Sequence, residues 1–259
     1  MKKLMKTISI LSILSMGILL ISCGNKETTT QNVDLTISAA ASLNEAMAEL
    51  KTDFEKNNKN ITLTCNFGSS GSLQKQIESG APCDVFISAA ESNMDDLDSK
   101  GEIEKGTNKV LLSNKLVLIS PKNSDISSIE DLSTDKVQHI AMGEPSSVPA
   151  GKYAKESLEN LNLFDKLQAK LIFGKDVKEV LSWVASENSE VGFVYKSDTI
   201  ANDSVKIVEE VSDDYHTPIN YKVGVVSSSK NINEAKIFED YLFSSSAKKI
   251  LEKYGYNTI

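Results

Sequence analysis

From Val33 onward the chain alternates strand-like and helix-like segments, and this alternation constrains the fold more than any other feature. Val33, Leu35 and Ile37 recur at period two, whereas Leu43, Ala46, Met47, Leu50 and Phe54 recur at the spacing of an amphipathic helix. Ile61, Leu63 and Cys65 predict a second strand, NFGSSGS from Asn66 a loop, and Leu73 with Ile77 a helix that stops near Gly80. Segments 85–87, 115–120, 139–142, 171–173, 191–195 and 221–226 read as further strands, with helices after Pro149, over 177–185 and, last, over 235–242. Strand–helix–strand units of this size favour parallel pairing with right-handed crossovers, which is the α/β class. The 259 residues suffice for one large domain or two lobes, and 40% hydrophobic against 25% charged residues supplies a core.

The first residues differ in kind. Lys2, Lys3 and Lys6 precede an apolar run over 8–21, too short for a comfortable membrane span but suited to a signal peptide. The run ends in Leu-Ile-Ser-Cys-Gly at Cys23, the pattern of a bacterial lipobox, in which the cysteine takes a diacylglycerol and becomes the new N-terminus. Residues 1–23 therefore read as signal and lipidation site. Residues 24–32, including NKETTTQN, read as a polar tether too poor in apolar residues to fold. The expected location is the outer face of the cytoplasmic membrane.

Charge narrows the function. The formal net charge is −8, which argues against a nucleic-acid partner because phosphate binding needs a basic face. Two histidines and three cysteines leave little room for a zinc site or a disulfide framework. Cys65 and Cys83 could pair in an exported protein, but they are read as buried free thiols.

The starts of the helices carry the ligand signal. Ser42 with Glu45, and Asp176 with Glu179, have capping-box spacing, so both Ser42 and Asp176 are expected at N-caps. Pro149 suits a first helical turn, and the glycines of GSSGS at 68–72 let backbone amides converge. Helix starts expose unpaired N–H groups and a partial positive charge. In parallel α/β sheets they gather at the carboxyl ends of strands, where several facing one cleft would hold an anion without a lysine or arginine. Spacing alone goes no further than a ligand, of anionic character, at the strand ends.

The segments SAAASLNEAM from Ser38, NFGSSGSLQKQI from Asn66, GAPCDVFISA from Gly80, EPSSVPAGKYAKESL from Glu144 and EVGFVYKSD from Glu190 closely resemble molybdate-binding proteins, the extracytoplasmic solute receptors of molybdate ABC transporters. The resemblance runs in order to KYGY at 253–256; VPAGxYAKE and GxVYxSD are its most specific parts. It implies a two-lobed, type II periplasmic-binding-protein fold, each lobe a mainly parallel sheet flanked by helices, with the oxyanion in the cleft. By motif, the implied ligands are Ser42, Ser70, Ala150, Val177 and Tyr195. Three would offer hydroxyls, while Ala150 and Val177 would offer only backbone amides. Molybdate is a dianion without protons and wants donors only, so neutral dipoles suit it. Asp176 should then turn its carboxylate onto its own helix.

The resemblance further implies molybdate or tungstate as ligand, no cofactor, no bare metal ion, an ABC permease as partner, a monomer and no enzymatic activity. The sequence departs from the family at Gly71, where a hydroxyl residue is frequent, and Lys152 fills a variable position that is read as solvated surface. Strand-like runs near Leu112 and Gly224 are expected to cross between lobes, giving 33–112 plus 224–259 as one lobe and 113–223 as the other.

Three rival functions compete with this one. A receptor for sulfate or another small solute keeps the fold. A serine hydrolase would need a nucleophile elbow that GSSGS is not, and a base near Ser70. His139 is expected in a buried strand and His216 in the acidic surface loop DDYHTP. A metal receptor or adhesin would rest on Asp95-Asp96 or Asp213-Asp214, neither of which has calcium-loop spacing.

Overall fold

The computed structural model describes residues 32–200 and 202–259. The signal segment, Cys23 and all of the tether except Asn32 lie outside the described residues. The chain order is β1 (Val33–Ala40), α1 (Asn44–Asn57), β2 (Ile61–Gly68), α2 (Ser70–Glu78), β3 (Val85–Ser88), α3 (Glu91–Ser99) and β4 (Lys109–Ser113), followed by β5 (Leu116–Pro121) and β6 (Ile140–Gly143). It continues through α4 (Pro149–Asn160), α5 (Phe164–Leu167), β7 (Leu171–Gly174), α6 (Val177–Ala185), β8 (Val191–Tyr195), α7 (Lys196–Thr199) and β9 (Val205–Glu210). It closes with β10 (Asn220–Val225), α8 (Ile232–Leu242), α9 (Ser245–Lys253) and β11 (Asn257–Thr258). No helix among the described residues is long and apolar enough to cross a membrane.

Two sheets result. One has six strands in the order β11-β4-β10-β3-β1-β2, the other five in the order β7-β6-β8-β5-β9. Each sheet is mixed. Pairing is parallel where strand–helix–strand units built it, in β3-β1-β2 and β7-β6-β8. It is antiparallel where the chain crosses between sheets, in β11-β4-β10-β3 and β8-β5-β9. The chain leaves the first sheet after Ser113 and enters the second at Leu116. It returns between Glu210 and Asn220. Gly224, near which a lobe boundary is expected, sits inside β10, paired with Phe86 of β3.

Burial explains the placement of the strands. Leu35, Ile37 and Ala39 of β1 are fully buried, in one core with Met47, Leu50 and Phe54 of α1. Phe54 meets Phe238 of α8 edge-on at 5.1 Å, joining the N-terminal and C-terminal helices over the same sheet. Some elements carry too little periodic apolar signal to be read from sequence, α3 and β9 among them. In α3 only Met94 and Leu97 are buried, and in β9 Ile207 faces solvent. The final helix is also not the one over 235–242: the chain breaks at Phe243 and restarts as α9, where Ser244 Oγ accepts from Ala247 N at 3.2 Å.

Register aligns the ends of the parallel strands. In β1 and β2, Ala40 stands opposite Gly68, and in β6 and β7, Gly143 stands opposite Gly174. The strands of each parallel pair end level, so the elements after them begin side by side.

Candidate ligand-binding site

A small cleft lies where these strand ends face each other. The six-stranded sheet contributes Ala40, Ala41, Ser42, Gly68, Ser69, Ser70 and Ala89; the five-stranded sheet contributes Val148, Pro149, Ala150, Asp176, Val177 and Tyr195. All five residues singled out in the sequence, Ser42, Ser70, Ala150, Val177 and Tyr195, are brought together here, and all are buried. No lysine, arginine or histidine lines the cavity among the described residues.

Local sequence explains each position. Ser70 and Val177 are the first residues of α2 and α6, and Ala150 follows Pro149 at the start of α4. Amides in the first turn of a helix have no intrahelical acceptor, and the helix end carries about half a positive charge. Proline at the start of α4 sacrifices no amide that the helix needs. The start of α4 comes close to β6 because Gly151 has no side chain: a Cβ there would stand 1.9 Å from Gly143 O.

The hydroxyls differ in their surroundings. Ser70 Oγ accepts from Ala89 N at 2.9 Å, which leaves its own proton free. Ser42 Oγ lies 2.8 Å from Tyr221 Oη. Tyr195 Oη is buried with no hydrogen-bond partner among the described residues, an arrangement that costs about 1–3 kcal/mol unless a ligand meets it. Burial, with Tyr221, Tyr153, Asp198 and Tyr256 nearby, holds the Tyr195 phenol well above the ordinary tyrosine range, so it stays protonated.

Two capping expectations meet different outcomes. Asp176 Oδ1 accepts from Glu179 N at 2.9 Å, so this carboxylate turns onto its own helix although the residue borders the cavity. Ser42 is not an N-cap. It sits in a 3-10 turn over Ala41–Leu43, its hydroxyl engaged by Tyr221 and Glu45 by Lys178. Partners distant in sequence took both groups that a capping box would have used.

The pattern of the bacterial extracellular solute-binding protein family matches residues 35–257. A solved structure described provisionally as the substrate-binding domain of a molybdenum ABC transporter from Clostridium difficile shares 55% identity, with a TM-score of 0.69, over 88% of this chain and all of that one (100%). A Bacillus subtilis (strain 168) protein provisionally named an ABC transporter substrate-binding lipoprotein is 44% identical over 92% of this chain and 93% of its own. The molybdate-binding protein ModA of Haemophilus influenzae is 38% identical over 86% of this chain and 89% of its own. The chain belongs to the molybdate-binding family of extracellular solute-binding proteins. Its two mixed sheets with flanking helices are the type II periplasmic-binding-protein fold.

Several surroundings of the site in this solute-binding protein were hidden in the sequence. Lys178, next to Val177, reaches Glu45 Oε2 at 2.7 Å and the fully buried Asp198 Oδ1 at 3.0 Å, so it links α1 of the first sheet to α7 of the second. Burial works to lower the Lys178 ammonium, but the two carboxylates overcome it and its pKa lies above the ordinary lysine value. Burial raises the Asp198 carboxyl, opposed by Lys178 and by the Tyr195 amide. Tyr221, Asn114 and Tyr256 form a buried layer beneath Ser42. Tyr221 reads in sequence only as the start of a late strand, and Asn114 is not singled out at all, so neither carries a signal of its role.

The two histidines exchange their expected settings. His139 precedes β6 with its side chain 54% exposed, and His216 is buried against the Tyr153 ring, its Nδ1 2.8 Å from Thr217 O. Neither lines the cavity that holds Ser70, and the protein belongs to a non-enzymatic family. Lys152 faces outward toward Glu156 at 3.9 Å. Cys65 and Cys83 are free thiols; burial pushes Cys83 up to about 11. Among the described residues, no group of His, Cys, Asp or Glu is placed to hold a metal ion.

Proposed function

We propose that this protein captures molybdate outside the cytoplasmic membrane and delivers it to the permease of an ABC importer. The observation that carries the reading is the cavity itself. It is walled by strand and helix ends from both sheets, with hydroxyls and first-turn amides for lining and no cationic side chain among the described residues. A buried dianion without protons is matched by groups that donate and do not accept. Ser42, Ser70 and Tyr195 would supply hydroxyl protons, and Ala150 and Val177 backbone amides. The molybdate-binding relatives support the choice of oxyanion. Tungstate has the same charge and nearly the same size, so it belongs to the same reading. Sulfate, smaller at equal charge, is refused by cavity size. The six-stranded and five-stranded halves act as the two walls of the cleft, and the receptor works as a monomer.

Membrane attachment is the second part of the proposal. Cys23 carries the lipid, residues 24–32 tether the folded region, and the lipoprotein name of the Bacillus relative supports it. The test is calorimetric titration of the purified protein with molybdate, tungstate and sulfate in parallel. Molybdate and tungstate are expected to bind tightly and sulfate weakly; absence of molybdate binding, or equal binding of sulfate, overturns the reading. Cys23→Ser is expected to release the protein from the membrane fraction with molybdate affinity unchanged, and a variant that stays in membranes refutes the anchor.

A further inference from the structure

The buried layer beneath Ser42 fixes the direction of its hydrogen bonds. Asn114 Oδ1 accepts from Lys115 N at 2.9 Å, which identifies the other amide atom as the nitrogen. That nitrogen donates to Ser197 Oγ at 2.9 Å and to Tyr221 Oη at 3.3 Å. Tyr221 Oη therefore receives a proton from Asn114 and has one of its own to place. Within reach is Ser42 Oγ, at 2.8 Å. Tyr221 is fully buried, and a phenolic proton left without an acceptor there would cost about 1–3 kcal/mol. The satisfied arrangement runs one way, from Asn114 to Tyr221 to Ser42. Ser42 Oγ then accepts from below and keeps its proton for the cavity. Tyr256 Oη, donating to Ser42 O at 2.7 Å, holds the same residue by its backbone.

We infer that Tyr221, oriented by Asn114, is a positioning residue that sets the polarity of Ser42, so that this serine presents a donor and not an acceptor to the bound anion. Ser70 is treated likewise by a backbone group, since Ala89 N occupies its oxygen. The consequence is selectivity by protonation state. A bare dianion finds hydroxyl protons turned toward it. An oxyanion that carries a proton, such as hydrogen phosphate, needs an acceptor, and Ser42, with one of its two lone pairs filled by Tyr221 and its own proton turned to the cavity, is a poorer one. Asn114 lies at the crossing between β4 and β5 and Tyr221 on β10, so the layer belongs to the strands that join the two sheets.

This inference rests on the molybdate reading and deepens it. It is tested with Tyr221→Phe, Ser42→Ala and the double variant, titrated with molybdate at neutral pH, with inorganic phosphate as competitor. Tyr221→Phe is expected to weaken molybdate by about tenfold, the worth of one hydrogen bond to a charged ligand. In the Ser42→Ala background the same change should alter affinity by less than about twofold, because coupled residues do not add. Phosphate should compete better in Tyr221→Phe than in wild type, since a freed Ser42 hydroxyl can turn and accept. A purely structural role for Tyr221 predicts additive losses and unchanged competition by phosphate, and either result overturns the inference. If Tyr221→Phe does not fold, judged by its thermal transition, Asn114→Ala takes its place; it leaves the phenol but frees its lone pair, and the same gain in phosphate competition is expected. Wild type that fails to bind molybdate would defeat the functional reading itself; wild type that binds, with Tyr221→Phe unaltered, defeats the positioning role alone.

Discussion

The amide of Gly71 donates to the carbonyl oxygen of Ser147 at 3.0 Å, joining the first turn of α2 to the loop that leads into α4. The two backbones meet across the cleft, and a Cβ at Gly71 would stand 2.7 Å from that oxygen. The glycine that departs from the family pattern is therefore the residue that lets the walls approach. Gly71→Ala is expected to hold them apart. Overpacking strain of about 1–3 kcal/mol corresponds to a loss of roughly 5- to 150-fold in molybdate affinity. Calorimetry reads the loss, and small-angle scattering with and without molybdate reads the separation.

Removing single donors should cost a defined amount. Ser70→Ala deletes one hydroxyl aimed at a buried dianion, worth about 1.5–3 kcal/mol or roughly 10- to 150-fold in affinity. Tyr195→Phe should fall in the same range. It also relieves the unpartnered phenol, so the free protein should be no less stable than wild type in a thermal melt. Ala150→Gly keeps its amide and should bind nearly as wild type does.

Binding should be flat in pH between about 6 and 8. Titration in that range belongs mainly to histidine, and no histidine lines the cavity among the described residues. The Tyr195 and Tyr221 phenols, raised by burial, remain protonated donors throughout. Their protons would be lost only on the alkaline side of this window, so the sign of any change is a loss of affinity as pH rises. Titrations at three pH values and constant ionic strength check this.

Lys178 offers a stability test. Lys178→Met leaves the buried Asp198 without its cation, and breaking a buried pair costs about 3–5 kcal/mol. Glu45→Gln, at a half-exposed partner, should stay within about 1 kcal/mol. Burial already raises the Asp198 carboxyl, and removing Lys178 raises it further. The deficit of Lys178→Met is thus largest at neutral pH and shrinks as pH falls and the carboxyl takes up a proton. Urea unfolding at pH 7 and pH 5 separates the two.

The parallel halves of the fold were legible because their signals are local: apolar periodicity, a proline at a helix start, glycines where a loop turns into α2. Ser70, Ala150 and Val177 owe their positions to such signals. Ser42 is reached by family pattern, while its spacing with Glu45 points to a cap that does not form. Tyr221 and Lys178, 179 and 133 positions from their partners, decide its environment. His139 and His216 exchange settings for a related reason. The strand expected to hold His139 begins one residue later, and DDYHTP folds its histidine inward against Tyr153. Composition around a residue describes its neighbours in the chain, and burial is decided by its neighbours in space.

A cavity without cationic side chains has a kinetic side as well. The chain is acidic, with a formal net charge of −8, and its proposed cargo is a dianion, so the two repel one another over distances set by the Debye length. Dipoles at helix starts act within a turn or so and offer no long-range pull. Encounter is therefore slowest in dilute buffer and quickens as added salt screens the repulsion, whereas escape from the site is governed by short contacts that salt hardly touches. Retention, and not electrostatic guidance, is what a receptor of this construction contributes to scavenging a scarce anion.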